Sequence, residues 1–325
     1  MIKLTEFNLP LINHFSSTVL LLFCVIIIKG LIEHFTEHQP LRFFSFYCRK
    51  LSDKVNKAKN SNKQQSIAGL TSIIITLAPI VVILWLFEFF IEVPWLWQGF
   101  LLYFALGPFN LMAKSKAIAQ ALVANQNYLA KQTLKPLMLR EIEPLSKMGL
   151  SKSCIEMQLL KTLQQTVVVV FYFLLFGPLA AVSYRLILEM HYSWNIKQVN
   201  FYHFGRPASA LINVMQWLPI RIFTLMMLLM HSKQNLLLTW RLIRGKFFQL
   251  NNDIALHCFA LNLQIKLGSV AMYHKVKLRK PSFNDQARQP EPTDIIHASN
   301  QLKYTLIMFG LLLLMLCIVS IIVQS

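Results

Sequence analysis

The sequence predicts an all-α, polytopic membrane protein, and two observations support this fold class. The first is composition: 55% of the 325 residues are hydrophobic and 14% are charged, against roughly 25% charged in an average soluble domain. The second is that six apolar stretches are separated by connections that are alternately rich and poor in Lys and Arg. The basic connections, 29–66, 113–165 and 231–303, hold 8, 8 and 11 Lys/Arg, whereas 88–94 holds none and 189–210 holds two.

The alternation predicts an orientation for the chain. Cytoplasmic loops carry the excess of Lys and Arg, so the three basic connections are expected in the cytoplasm and both termini outside it, with six crossings. The net charge of +18 comes from loops beside the apolar spans, where Lys and Arg are expected to contact anionic lipid headgroups. We therefore expect the bilayer as a partner and no nucleic acid.

Each apolar stretch reaches the ~20 residues that a bilayer demands. We predict a membrane domain over residues 1–280 that also includes cytoplasmic helices. A linker at 281–303, rich in proline and polar residues, leads to a C-terminal transmembrane helix at 304–323. The other predicted spans lie near 11–28, 67–90, 94–112, 166–188 and 211–230.

The fifth span, 211–230, is unusual because it contains Pro219 and then Arg221. An arginine at the middle of a spanning helix costs about 2.5–3.5 kcal/mol on insertion scales, so it is expected to face protein or water. We favour a crossing, since otherwise the basic connection that follows would lie outside. A re-entrant or interfacial segment is the alternative.

Residues 40–59 have the pattern of an amphipathic helix with aromatic residues beside a basic face. This pattern is typical of a helix lying in the headgroup layer. A helix packed against the spans is the equal alternative.

Motifs for known chemistry are few. His34, Glu37 and His38 fit the short H-x-x-E-H pattern of inverted zinc peptidases, but a solvated helix end is the favoured interpretation. The five cysteines have no metal-site spacing. The sequence has neither a G-x-x-x-x-G-K-[ST] nor a G-x-G-x-x-G loop. We therefore predict no metal and no cofactor.

One region, about 170–225, resembles a known family. It contains Gly177-Pro178 followed by small residues and Tyr184-Arg185, then Phe204-Gly205-Arg206-Pro207, then Trp217-Leu218-Pro219-Ile220-Arg221. This combination resembles the AmpE family of inner-membrane proteins. More distantly it is similar to the adenosylcobinamide-phosphate synthases (CobD/CbiB) of cobalamin assembly. The helix layout extends the AmpE resemblance along the chain.

The chain departs from the synthase pattern at acidic positions. An Asp-Asp pair of the synthases reads Ile212 and Asn213 here, and their Asn-Thr-Leu-Asp run reads 186–189, Leu-Ile-Leu-Glu. Their Glu-Asn-x-x-Asp element is replaced by residues such as Leu160, Lys161 and Gln164. A reaction that joins an amine to a carboxylate with nucleotide hydrolysis needs carboxylates to handle metal and phosphate.

The AmpE resemblance implies an inner-membrane regulatory or signalling protein linked to β-lactamase induction and cell-wall recycling, with a signalling partner and without catalysis of its own. Two alternatives stay open. One is a membrane synthase of the adenosylcobinamide-phosphate type, and the other is a small-molecule-binding transporter. A transporter would require several polar residues deep in the spans.

The candidate ligand-binding residues are Tyr184, Arg185 and Arg221, expected to line one polar pocket between the fourth and fifth spans. The alternative is that Arg221 caps backbone carbonyls at a proline kink. Six further residues are expected to have structural roles: Gly177, Pro178, Phe204, Gly205, Trp217 and Pro219.

Overall fold

The computed structural model describes residues 9–35, 41–57, 59–138, 140–231, 236–273 and 276–322. Within them the chain forms these α-helices: α1 (Leu9–Phe35), α2 (Arg42–Val55), α3 (Asn62–Glu88), α4 (Pro94–Ala105), α5 (Leu111–Val123), α6 (Asn127–Leu134), α7 (Lys147–Thr162), α8 (Val168–Ser193), α9 (Arg206–His231), α10 (Leu236–Ile243), α11 (Asp253–Asn262) and α12 (Pro292–Ile322). A π-helical turn, Leu163–Val167, joins α7 to α8. The strands β1 (Leu267–Tyr273) and β2 (Val276–Phe283) pair antiparallel.

The predicted fold class is confirmed. Five helical segments are long and apolar enough to cross a membrane by length and composition: Phe15–Phe35, Asn62–Glu88, Lys147–Ser193, Arg206–Met230 and Pro292–Ile322. The two-stranded hairpin begins inside the region 1–280, for which the sequence predicted only helices. The predicted linker is also shorter than expected, because β2 extends to Phe283 and α12 begins at Pro292. Proline suits that first helical position because its missing N–H needs no partner there.

The predicted third span, 94–112, is not one continuous helix. Helix α4 ends at Ala105, which makes it about 18 Å long, shorter than the ~30 Å hydrocarbon core. Pro108 lacks a backbone N–H and disfavours helical backbone at the residue before it. The N–H of Gly107 donates instead to Gln165 O at 2.8 Å. A Cβ on Gly107 would lie 2.4 Å from Gln165 Cβ, so only glycine permits this approach.

The predicted fourth span, 166–188, folds back on itself. Gly177 has φ 83° and ψ −177°, which is not helical. Residues 164 and 184 would lie about 30 Å apart in a straight helix, yet the Tyr184 hydroxyl donates to Gln164 O at 2.7 Å. The rings of Tyr172 and Tyr184 are stacked with centroids 5.4 Å apart. Residues 168–176 and 178–193 are therefore the first and second arms of a helical hairpin.

The segments before and after α9 contact the same part of the molecule. Before α9, the indole N–H of Trp194 donates to Cys48 O on α2 at 2.9 Å, and Lys197 interacts electrostatically with Glu156 on α7. After α9, the N–H of Gly268 donates to the same Glu156 at 2.9 Å. We call this side, where α2, α7 and the β-hairpin meet, the basic end. These flanking contacts are those expected of the re-entrant or interfacial alternative for 211–230, whereas the length and composition of Arg206–Met230 are those of a crossing.

Helices α1, α3 and α12 connect the basic end to the opposite end, and the shorter α4 packs against α1. Lys29 of α1 reaches the carbonyl of Leu106, just after α4, near the basic end. At the far end the hydroxyls of Ser16 and Ser320 lie 2.5 Å apart. The two ends of the described chain therefore lie together, which agrees with the even number of crossings expected from the charge pattern.

The fold-back places the connection 189–210 on the same side as the basic connections, whereas the charge pattern placed it outside the cytoplasm. With Cys24 replaced by Ser, a cysteine at Val199 (70% exposed) is expected to react with an impermeant thiol reagent from the same side as one at Tyr128 (81% exposed). A cysteine at Phe90 (83% exposed) marks the other side. Labelling in right-side-out and inverted vesicles measures this, and reaction of position 199 together with position 90 would contradict the fold-back.

Candidate functional site

A buried ionic cluster lies where the helical hairpin meets α2 and α7. Arg185, on the second arm, is 7% exposed, and its Nη1 lies 2.6 Å from Glu189 Oε1. The hydroxyl of Ser45, on α2, donates to Glu189 Oε2 at 2.8 Å. Lys161, at the end of α7, interacts electrostatically with Arg185 and Glu189. We refer to Lys161, Arg185 and Glu189 as the ionic cluster.

A buried pair on α1 holds the chain break beside this cluster. Lys29 Nζ donates to the carbonyls of Tyr103 at 2.8 Å and Leu106 at 2.7 Å, and it lies 3.7 Å from Glu33 Oε1. The N–H of Phe109 donates to Glu33 Oε2 at 2.6 Å. Backbone groups at a helix end lack partners within the helix and need other ones. Here the Lys29 ammonium binds carbonyls at the end of α4, and the Glu33 carboxylate binds the Phe109 amide after the break.

A cavity of about 290 Å³ opens on the same region. It is lined by Glu33, His34, Asn110 and Lys114, among others. Lys114 also interacts electrostatically with Lys161. The cavity therefore opens beside Glu33 and Lys114, and the residues of the ionic cluster do not line it.

A second network fixes the two hairpin arms to α9. The amide nitrogen of Gln216 donates to the Tyr184 hydroxyl at 2.9 Å, and that of Gln164 donates to Gln216 Oε1 at 3.1 Å. The Tyr192 hydroxyl donates to Gln164 Oε1 at 2.7 Å. Buried polar groups that satisfy one another in this way specify a single packing arrangement.

The three candidate ligand-binding residues divide between different partners. Tyr184 belongs to the amide–tyrosine network, and Arg185 belongs to the ionic cluster. Arg221 donates to the carbonyls of Phe247 at 2.9 Å and Trp217 at 3.2 Å, and also to that of Gln249. The contacts of Arg221 are those of the alternative interpretation, in which it caps backbone carbonyls.

The residues expected to have structural roles have close contacts. Pro219 cannot donate to Met215 O, and the Tyr172 hydroxyl donates to that carbonyl at 3.1 Å. The guanidinium of Arg221 lies over the Trp217 ring, 5.2 Å from its centroid.

Two neighbouring residues of that set fit closely against the end of the hairpin. The ring of Phe204 contacts that of Trp194 edge to face at 4.9 Å. A Cβ on Gly205 would lie 1.9 Å from Trp194 O, so the backbone approach at this corner requires glycine.

Neither a metal site nor a reactive thiol is found at the cluster. His34 is exposed, whereas Glu37 and His38 lie outside the described residues. Among the residues that the structure describes, no group of three or more metal-ligating side chains occurs. Burial, together with the Glu189 carboxylate, raises the pKa of the Cys48 thiol to about 12, so this thiol stays protonated and unreactive at neutral pH.

Sequence reasoning missed Lys29 and Glu33, and it named Lys161 and Glu189 only as departures from a family pattern. One signal was available. Charged residues at the edge of an apolar span are expensive unless they have partners, and Lys29 and Glu33 are spaced i, i+4, so they share a helix face.

Comparison with known proteins identifies a family. The protein-family model described as "CobD/Cbib protein" matches residues 22–302 of this chain. A "Cobalamin biosynthesis protein CobD" of Stutzerimonas stutzeri is 24% identical over 259 residues, covering 80% of this chain and 84% of that protein. Proteins of the same name from Chromobacterium violaceum and Leptospira interrogans are 26% and 23% identical, covering 64% and 74% of this chain and 67% and 80% of those proteins. No solved structure matches.

These matches correct the functional interpretation of the sequence. The AmpE-type signalling role in β-lactamase induction is wrong, because the matching family is CobD/Cbib and the relatives are each named as cobalamin biosynthesis proteins. The synthase resemblance, treated as the distant one, is the one supported. Short motifs misled here because the two families share them in the region 170–225.

The Lys29–Glu33 pair is predicted to be essential for stability. Both side chains are at most 5% exposed, and removing one partner of such a pair leaves a buried charge and costs about 3–5 kcal/mol. Lys29→Met should therefore lower the free energy of unfolding by that amount in a detergent-solubilised unfolding titration. Lys135→Met is the control, because Lys135 and Glu143 are both 72% exposed, and it should change stability by less than about 1 kcal/mol. Equal stabilities of the two variants would contradict the capping role.

Proposed function

We propose a function from the premise that this chain belongs to the CobD/Cbib protein family: it is a membrane synthase of cobalamin biosynthesis. The reaction of the adenosylcobinamide-phosphate type joins an amine to a carboxylate with nucleotide hydrolysis. A chain of this family with basic connections is expected at the inner membrane of a bacterium, with the ionic cluster at its cytoplasmic face.

The ionic cluster is the observation that carries this proposal. Lys161 and Arg185 supply positive charge that attracts a substrate carboxylate, and Glu189 supplies a carboxylate that attracts an ammonium group. Both substrate types therefore find a complementary charge within one cluster. Because the cluster is shielded from water, these interactions are stronger than they would be at the surface.

Arg185 has capacity left for a ligand. Its Nη1 lies against Glu189, but its buried Nε has no hydrogen-bond partner among the described residues. A buried guanidinium donor without a partner is costly, and a carboxylate is the group that its planar fork fits best. A substrate carboxylate bound beside Glu189 would remove that cost.

The missing Asp-Asp pair of the synthases does not remove every acid from the site. Ile212 is buried in the hydrophobic core, so that position is structural in this chain. The fourth position of the run 186–189 is acidic, as in the synthases, and the structure places it, Glu189, in the ionic cluster. We assign to Glu189 the role of the active-site carboxylate. Glu33, which lines the cavity, is a second carboxylate in this region.

Anionic lipid is proposed as the environment of α2. Phe43 and Phe46 on this helix are 80% and 50% exposed, whereas Cys48 and Ser52 are buried against the rest of the protein. Helix α2 thus packs on the hairpin with one face and presents aromatic and basic side chains on the other. Such a face suits the headgroup layer.

The test is amide formation by the full chain in lipid nanodiscs, supplied with a corrinoid carboxylate, an amine and a nucleoside triphosphate. Glu189→Gln keeps the side-chain shape and the bond from Ser45 but removes the charge, and it should slow the reaction by about 100-fold or more, as expected for a catalytic carboxylate. Glu143→Gln, at an exposed position, is the control and should keep wild-type activity. Mass spectrometry of the corrinoid product measures the rate.

Two results would contradict the proposal. One is the absence of product with the wild-type protein when a relative such as the Stutzerimonas protein gives product under the same conditions. The other is full activity of Glu189→Gln, which would remove the ionic cluster from the reaction.

A further inference from the structure

Arg140 lies away from the ionic cluster, in the connection between the turn Lys135–Leu137 and α7. Its side chain is only 7% exposed, yet its Nε and Nη2 have no hydrogen-bond partner among the described residues. These two nitrogens form one edge of the guanidinium fork, the edge that binds an oxyanion through two parallel hydrogen bonds. The fork is therefore buried and unused.

The remaining nitrogen of Arg140 faces a carboxylate that holds the side chain in place. Arg140 Nη1 lies 3.6 Å from Glu156 Oε2, and the other carboxylate oxygen accepts a hydrogen bond from Gly268 N on β1 at 2.9 Å. Glu156 thus fixes Arg140 from one side without occupying the edge formed by Nε and Nη2. An arginine remains charged at any physiological pH, so this edge stays an unsatisfied cationic donor.

The surroundings add positive charge. Lys152 is 8% exposed and interacts electrostatically with Arg140, Glu156 and Lys266. Lys266 is paired with Asp285 at 2.7 Å. Lys197 also interacts electrostatically with Arg140 and Glu156, and with Asp253. Among these described residues four cations face three acids, which leaves one net positive charge.

We propose that Arg140 and Lys152 form a binding site for a phosphoryl group. A phosphoryl oxygen pair fits the free edge of Arg140, and Lys152 contributes a further positive charge. Phosphate is favoured over a carboxylate because it has more oxygens, so one group can accept hydrogen bonds from the Arg140 fork and still present an oxygen to Lys152. Arginine and lysine together are the usual protein groups for such recognition.

The position of this site relates it to the ionic cluster. Lys152 and Lys161 are both on α7, nine residues apart, which corresponds to about 14 Å along the helix. A phosphate-bearing reactant bound at Arg140 could extend toward Glu189. That use of the site rests on the proposed synthase function, whereas the binding of phosphate itself rests on Arg140 alone.

The test is binding of inorganic phosphate and of inorganic triphosphate to the full chain in detergent, measured by calorimetry without other reactants. Arg140→Lys keeps the charge but lacks the fork and should weaken binding by about tenfold or more, which corresponds to the loss of one charge-assisted interaction. Lys152→Gln should also weaken it. Arg244→Lys, at an exposed position, is the matched control and should bind like the wild type. Tighter binding of triphosphate than of phosphate would indicate a nucleotide as the ligand. Equal affinities for the two would indicate a phosphate monoester.

The outcomes separate this proposal from the synthase function. Unchanged phosphate affinity in both Arg140→Lys and Lys152→Gln, with thermal stability retained, would overturn the site even if amide formation is observed. If Arg140→Lys does not fold, the Lys152→Gln variant decides. Arginine-dependent phosphate binding without amide formation would leave the site in place and remove the synthase role.

Discussion

The positive φ of Gly177 is the constraint on which the rest of the structure depends. A φ of 83° with ψ −177° is a backbone conformation essentially restricted to glycine, and Pro178 then begins the second arm with its φ already fixed. Reversing the chain at this point places Arg185 and Glu189 beside Lys161, which precedes the hairpin by only a few residues. Without the reversal, these charges would lie about 36–42 Å apart along one straight helix.

Several buried charges of this protein are tolerable because they serve backbone groups that helix breaks leave free. Lys29 and Glu33 satisfy the break after α4, and Arg221 satisfies carbonyls of the segment after α10. Arg140 and Arg185 differ from these residues, since each keeps a buried donor that has no hydrogen-bond partner within the described part of the chain. A buried donor without a partner is costly, and a ligand that accepts a hydrogen bond from it removes that cost. This contrast is why we propose binding at these two arginines.

The helical membrane fold could be predicted from composition and from the alternation of basic connections, because both depend only on local sequence. The hairpin could not. Hydropathy is the same for an apolar stretch that crosses and for one that turns back, so 166–188 looked like a span although Gly177-Pro178 lay within it. The ionic cluster was equally hidden: Ser45 and Glu189 are 144 residues apart, and only the reversal brings them together. The motif at 217–221 indicated that Arg221 caps backbone carbonyls, but two of those carbonyls, of Phe247 and Gln249, belong to a segment with no recognisable pattern.

The most direct test of this account is the distance between the two arms of the hairpin. Spin labels at Thr166 and Ser193, measured by pulsed electron resonance in lipid nanodiscs, should lie within about 20 Å of each other if the chain reverses at Gly177. The same labels would be about 40 Å apart on a straight helix of this length. Labels at Gln64 and Leu86 of α3 provide the reference for an unreversed helix, at about 33 Å. A distance near 40 Å between positions 166 and 193 would contradict the fold-back and with it the ionic cluster.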